Sequence, residues 1–405
     1  MIKKIIIALI VIILIFLVIL GGRYFSGSGI SGSNSVSTSP GIYPDRIVLG
    51  SSSALSGFAS FLGTEYQRGA DTYFKKVNAT GGVNGRRIEV ISYDDAYDPA
   101  KTIANTQKLI KEDKVFALFN YVGTPTTVKV MPIVSEERIP LVGLFTGANA
   151  FRDPINPYIF NIRASYYQEV GEFVRGMVEE LDIKDIAVFY QYDAFGLDGL
   201  KGAQIALAKY NLKPVAEESY VRGTLDVEAG LAKIKASKAH AVVMIGTYSP
   251  MAKFIKLAKG GGYEPLFQNV SFVGSEAFAK ELGAVGNGVV VTEVVPPPYE
   301  RNLLTGVDEY TKLIKQYYPD GAPSFGSLEG YINAAVMVEA LKRAGKDLTR
   351  DKLVTSLESI ENLGLGLASP VSFSSTNHQA MSHVYPTYIK DGKFVLFSDW
   401  KDLNK

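Results

Sequence analysis

The sequence predicts an α/β protein of two doubly wound parallel-sheet units behind an N-terminal transmembrane anchor or signal segment. Three observations carry this. Strand-like and helix-like runs alternate from residue 46 onward. The alternation passes through one set of elements to Phe145 and then through a second, similar set from Tyr167 to Gly274. Before either set, Ile5 to Leu20 is an unbroken run of sixteen apolar residues.

That run follows Lys3 and Lys4 and is followed by Gly21-Gly-Arg-Tyr-Phe25. It reads as a membrane anchor or a signal peptide, within a segment 1–25. No small-x-small cleavage site follows, which favours an uncleaved anchor. The two lysines place the rest of the chain outside the cytoplasm, against some opposition from Arg23. Residues 26–44 are rich in Gly and Ser and read as a flexible tether.

In the first set, Arg46 to Gly50 reads as a strand. Tyr66, Gly69, Ala70, Tyr73, Phe74 and Val77 then fall on one helical face that stops at Gly81-Gly82. Arg87 to Ser92 is a strand, Pro99 to Glu112 a helix, Val115 to Val122 a strand, Thr124 to Glu136 a helix and Pro140 to Phe145 a strand. The second set predicts helix Tyr167–Leu181, strand Ile186–Tyr190, helix Leu197–Tyr210, strand Ala241–Ile245, helix Pro250–Lys259 and strand Ser271–Gly274. Two longer helices near Val307–Tyr317 and Leu328–Ala344 follow. A hairpin turning at Asp391-Gly392 closes the chain.

The 405 residues are 47% hydrophobic, with a formal charge of +1 and no cysteine. That is ample for packed cores, and it gives no basic surface for nucleic acid. It also excludes disulfides and thiolate chemistry. No cofactor or metal is expected. Gly27 to Gly32 spells G-x-G-x-x-G but lacks the strand and helix that a dinucleotide site requires. Of the three histidines, His378 and His383 read as solvated loop residues and His240 as structural. Asp94-Asp95 reads as a pair engaged in capping and loop hydrogen bonds. Nothing pairs a nucleophile with a base, so no enzyme is expected.

Ligands of open parallel sheets lie beyond the carboxyl ends of the strands. The candidate segments are therefore 51–62, 120–124, 145–148, 191–195, 247–249 and 274–276. In the stretch FNYVGTPTT, Thr124 stands where an N-cap belongs and Pro125 where a first helical residue belongs. Such a helix start offers free N–H groups to an anion.

Several of these stretches, in order, resemble the branched-chain amino-acid (Leu/Ile/Val) binding proteins of ABC transporters, which have a type I periplasmic-binding fold. They are Ala54-Leu-Ser-Gly57, Gly81-Gly-Val-Asn-Gly85, Tyr93-Asp-Asp-Ala-Tyr-Asp-Pro99, Phe195-Gly196, Gly246-Thr-Tyr-Ser-Pro250 and Phe272-Val-Gly-Ser-Glu276. The resemblance implies two lobes, 46–164 plus 293–370 and 165–292 plus 371–405, joined by crossover hinges and closing on a solute. It implies an extracytoplasmic solute-binding protein, at the cell surface or in the periplasm, that serves the permease subunits of an ABC importer. The solute expected is a small carboxylate-bearing molecule, an amino acid in the first instance.

By the same resemblance, Gly123, Thr124, Phe145, Thr146 and Gly147 receive the solute carboxylate, and Glu276 receives its ammonium. Tyr248 and Phe195 wall the pocket. Leu62 stands near a position where the family carries an aromatic. The chain departs from the family where Gly123 replaces a frequent serine, and where Tyr97 and Val122 replace two cysteines that some members join. These departures leave open a binder of aromatic or other non-amino carboxylates. A membrane sensor ectodomain of the same fold also stays open, although no second long apolar run follows to carry an output.

Overall fold

The computed structural model describes residues 39–299 and 304–404. The apolar run and most of the Gly/Ser-rich stretch lie outside the described residues, as does the Gly27–Gly32 pattern. Among the described residues no helix is long and apolar enough to cross a membrane.

The first sheet has five parallel strands in the order β2-β1-β3-β4-β5. They are β1 (Arg46–Ser53), β2 (Arg87–Asp94), β3 (Ala117–Phe119), β4 (Leu141–Val142) and β5 (Ile159–Phe160). The second sheet begins with β6 (Ile186–Gln191), β7 (Glu217–Tyr220), β8 (Ala241–Ile245), β9 (Leu266–Val270) and β10 (Val290–Glu293), parallel and in the order β7-β6-β8-β9-β10. This repeats the order of the first sheet. The predicted hairpin, β11 (Tyr385–Lys390) and β12 (Lys393–Leu396), adds two antiparallel strands at its edge. The central strands β3 and β8 are buried at every residue, as expected for strands covered on both faces.

Helices α1 (Ser60–Ala79), α2 (Pro99–Lys111), α3 (Thr124–Thr127) and α4 (Met131–Glu136) cover the first sheet. The second is served by α5 (Tyr166–Arg175), α6 (Ala194–Ala208), α7 (Glu228–Ala236), α8 (Tyr248–Gly260) and α9 (Ser275–Leu282). The chain then returns to the first with α10 (Thr305–Tyr317), α11 (Phe325–Ala344) and α12 (Arg350–Glu358). α11 is buried over most of its circumference and lies backbone to backbone on α1. A methyl at Gly69 would fall 1.7 Å from the Ser327 carbonyl oxygen, and one at Gly330 would fall 2.0 Å from that of Tyr66.

Three passages join the sheets: after β5, after β10, and before β11. The first and third run side by side. Ala380 N–H donates to Asn161 O at 2.8 Å, and Met381 N–H to Ile162 O at 3.0 Å. This is the two-lobe, crossover-linked architecture that the sequence implied.

Some local expectations are corrected. The helix expected over 124–136 is two helices, interrupted at 128–130 and restarted with Pro132 in the first turn of α4. The strand expected at Ser271–Gly274 is a single 3₁₀ turn, and the strand is β9, one element earlier. Gln268 and Asn269 hide it in the sequence, and Gln268 is buried by donating to Thr292 Oγ1 at 2.8 Å. β5 and β7 also escape notice, one for having two residues and the other for its Glu217-Glu218 start. His378 is not solvated. It is buried, stacked on Phe160 at 4.0 Å, with Nδ1 at 3.0 Å from Ile159 O.

Candidate functional site

The first sheet's carboxyl rim is built from small polar residues held by one another. Ser51 and Ser53 both donate to Asn120 O, at 3.3 and 3.1 Å, and Gln67 Nε2 donates to both hydroxyls at 2.7 Å. This fixes the chain as it leaves β3. Gly123 then takes φ +94°, a conformation reserved for glycine. Gly123, not Thr124, is the residue before α3, so Thr124 is the first helical residue and Pro125 the second. The Thr124 hydroxyl is instead 2.7 Å from that of Thr146, which accepts the Ala148 N–H at 3.1 Å. Phe145 lies stacked on Tyr66 at 4.4 Å, and Gly147 O accepts the Tyr166 N–H at 2.8 Å.

The second rim carries Phe195, Tyr248, Phe272 and Glu276. Asp193 caps α6 by accepting the Phe195 N–H at 2.9 Å, which sets the Phe195 ring at the strand end. Asp94 and Asp95 act in the same way on the first rim, accepting the Ala96 and Tyr97 N–H groups at 2.8 and 2.9 Å.

The two rims meet through aromatic side chains. Phe272 lies 5.2 Å from Phe145, 4.8 Å from Phe195 and 6.0 Å from Tyr97, and Phe195 lies 5.1 Å from Tyr166. Leu62 meets the other rim at Gly274, where a methyl would fall 2.8 Å from Leu62 and 3.2 Å from the Tyr248 ring. Of the candidates, Phe145 and Phe195 therefore meet at Phe272, Gly123, Thr124, Thr146 and Gly147 lie on the first rim beside Phe145 and Tyr97, and Leu62 and Tyr248 meet at Gly274. Phe272 belongs to one of the matching stretches, yet nothing in the sequence marks it as a contact. Its position just after a short strand with buried polar residues conceals it.

Glu276 stands apart. Its Oε1 accepts the Phe325 N–H at 2.9 Å, so it sits on the positive end of α11, across from its own sheet. Its Oε2 is buried without a hydrogen-bond partner. Among the described residues no hydrogen bond joins Glu276 to the threonine pair. Burial pushes its carboxyl up to about 8, with the Phe325 N–H pulling down and Glu65 pushing up.

A second buried charge cluster lies outside the residues that the sequence singles out. Arg163, in the first passage between the sheets, is 2% exposed. It donates to Glu169 Oε1 at 3.1 Å and to the Ser271 hydroxyl, and it lies 3.4 Å from Glu329 Oε2. Its guanidinium is 5.3 Å from the Phe145 ring. Burial opposes its charge, but Glu329 and Glu169 outweigh burial and hold it protonated. Glu169 also accepts the Ser271 N–H at 2.7 Å, and burial pushes its carboxyl up against the pull of Arg163. Burial lifts Glu329 to about 7 against the pull of Arg163. Arg163 thus ties a hinge to both sheets. Its only sequence signal is an arginine after a two-residue strand. No group of acidic residues or histidines among the described residues is arranged to hold a metal ion.

The family described as periplasmic binding protein matches residues 46–393 of this chain. A Leu/Ile/Val-binding protein homologue from Brucella suis is 26% identical over 366 residues, spanning 86% of this chain and 90% of the relative. The solved structure of a possible leucine/isoleucine/valine-binding protein from Rhodopirellula baltica is 34% identical and superposes with a TM-score of 0.85, covering 89% of this chain and 98% of that one. A branched-chain amino-acid ABC transporter protein from Thermus thermophilus with bound valine shares the fold at 20% identity, with a TM-score of 0.81 over 89% of this chain and 99% of that one.

Proposed function

From a chain that belongs to the periplasmic binding protein family, and so to solute-binding proteins, we propose an extracytoplasmic component of an ABC importer that captures a small carboxylate-bearing solute between its lobes. The observation that carries this is the junction itself. Hydroxyls of Thr124 and Thr146 and an aromatic wall from both sheets converge at the carboxyl ends of the strands. Hydroxyl and N–H donors aimed at a carboxylate form charge-assisted hydrogen bonds, and the rings exclude water around them.

In this reading Gly123, Thr124, Phe145, Thr146 and Gly147 hold the carboxylate, Leu62, Phe195 and Tyr248 enclose the solute, and Glu276 receives an ammonium. The lobes are 46–164 plus 293–370 and 165–292 plus 371–405, with 371–381 lying along the first passage. Residues 1–25 tether the protein to the membrane, and permease subunits take up the solute. No catalytic step is assigned. An amino acid is the first candidate solute. A non-amino carboxylate is a second, favoured by one observation: Glu276 already accepts a backbone N–H and, with its carboxyl lifted to about 8, is neutral at pH 7 unless a cation arrives.

Calorimetric titration of leucine, phenylalanine and their amine-free carboxylate analogues into the purified chain tests the reading. Thr146→Val keeps the shape and removes the hydroxyl. It is expected to weaken binding of any carboxylate solute by roughly 10-fold or more, the range of a hydrogen bond to a charged group. Undiminished binding by this variant would place the carboxylate elsewhere.

A further inference from the structure

Tyr97 is 1% exposed, and its hydroxyl has no hydrogen-bond partner among the described residues. Buried hydroxyls are nearly always partnered; among the described residues the buried Tyr166 hydroxyl shares the exception, while two other buried tyrosines follow the rule. Tyr121 bonds Thr106 at 2.9 Å, and Tyr220 donates to Gln191 at 3.0 Å. The backbone of Tyr97 is also unusual. Ala96 and Tyr97 take φ of +50° and +63°, a strained region for a bulky side chain. The strain is held in place by two carboxylates. Asp94 accepts the Ala96 N–H, and Asp95 accepts the Tyr97 N–H while itself bonded by Ser52 at 2.8 Å and Thr102 at 3.0 Å.

The result is a ring projected from the end of β2 into the junction. It lies flush on Gly123, where a methyl would fall 2.1 Å from Tyr97 Cε2. Phe58 flanks it at 5.7 Å and Phe272 at 6.0 Å, and the Arg222 guanidinium lies 5.8 Å from its face. Phe58 and Gly123 belong to the first rim, and Phe272 and Arg222 to the second. The ring therefore lies between the rims, against Gly123, the residue before Thr124.

We propose that Tyr97 is a solute-contacting, specificity-determining residue whose hydroxyl donates a hydrogen bond to a carboxylate oxygen of the solute bound between the lobes. The solute completes a hydrogen bond that the protein leaves open, and the strained turn aims the donor at it. This rests on the carboxylate reading of the same junction.

Tyr97→Phe keeps the ring on Gly123 and removes only the hydroxyl. Tyr331→Phe is the control, because it also removes a buried phenol hydroxyl but its ring packs on Tyr73 and Tyr310, away from the junction. The purified chain and both variants are titrated with leucine, phenylalanine and benzoate and melted without solute. The expected result is a loss of affinity of about 10-fold or more in Tyr97→Phe only, with its solute-free melting temperature unchanged or raised. Equal affinity in Tyr97→Phe and the parent overturns the assignment and leaves the carboxylate reading standing. A large drop in the solute-free melting temperature of Tyr97→Phe also overturns it, because the hydroxyl then serves the fold. Failure of all three probes to bind the parent overturns the carboxylate reading and takes the Tyr97 assignment with it.

Discussion

Glu276 is a buried carboxyl that serves the fold. Its Oε1 caps α11 while its Oε2 remains buried and open, with Glu65, Arg68 and Glu293 as the charged groups acting around it. Because burial raises its carboxyl from 4.5 to about 8, the folded chain keeps a proton there that the unfolded chain gives up. Stability therefore falls as pH rises between those two values, by roughly 1.4 kcal/mol per pH unit from this group alone, and levels off above. Glu329, lifted to about 7, acts in the same sense. In Glu276→Gln the fall with pH should be shallower, so that the variant gains on the parent at pH 8 relative to pH 5. Urea denaturation at the two values measures this, and an equal slope in parent and variant would show that the carboxyl is not held neutral. At this scale the sequence discloses where site residues lie but not their partners. Thr124 resembles a cap because a threonine precedes a proline. The actual cap is Gly123, since only a glycine takes φ +94° there. The burial and contacts of Tyr97 and Arg163 are not legible in the sequence because they depend on which chain segments fold against them.

The elements are more legible than their ends. Apolar periodicity locates α1, α2, α10 and α11 and the core strands, because each buries a continuous face. It fails where strands are short or carry buried polar residues, as in β5, β7 and β9. The close pair α1 and α11 forms one wall of the first lobe, and its glycines set the spacing. Tyr66, one of whose neighbours is Gly330, also supplies the ring under Phe145. Gly330→Ala is expected to push the helices apart, lowering stability by about 1–3 kcal/mol as overpacking does. It should also weaken solute binding by displacing Tyr66. Denaturant unfolding read together with a solute titration checks both effects. A stability loss with affinity fully kept would show that the wall does not position the junction.

At the scale of the whole molecule, two sheets of the same strand order face each other with their carboxyl rims in contact. Three passages and the buried Arg163 cluster hold the hinge side. If the lobes close on a solute as proposed, open and closed forms differing by a few kcal/mol are expected, and a solute that touches both rims shifts the balance. The alternating pattern and the ordered matching stretches make this architecture legible in the amino-acid sequence. Solute identity is not legible there, because it depends on how segments distant in the sequence, such as those carrying Tyr97, Thr146 and Phe272, are brought together by the fold. A solute at about 100 times its dissociation constant should add about 2.7 kcal/mol to stability, on the order of several degrees for lobes of this size. The most direct test is therefore thermal melting of the full chain with leucine, phenylalanine, their amine-free analogues and the corresponding amides. A carboxylate solute held between the lobes predicts that acids raise the melting temperature by several degrees while amides do not. If Glu276 receives an ammonium, the amino acids will exceed their amine-free analogues, and Glu276→Gln will erase that difference. Stabilisation by the amides as great as by the acids, or by no carboxylate at all, would contradict the account.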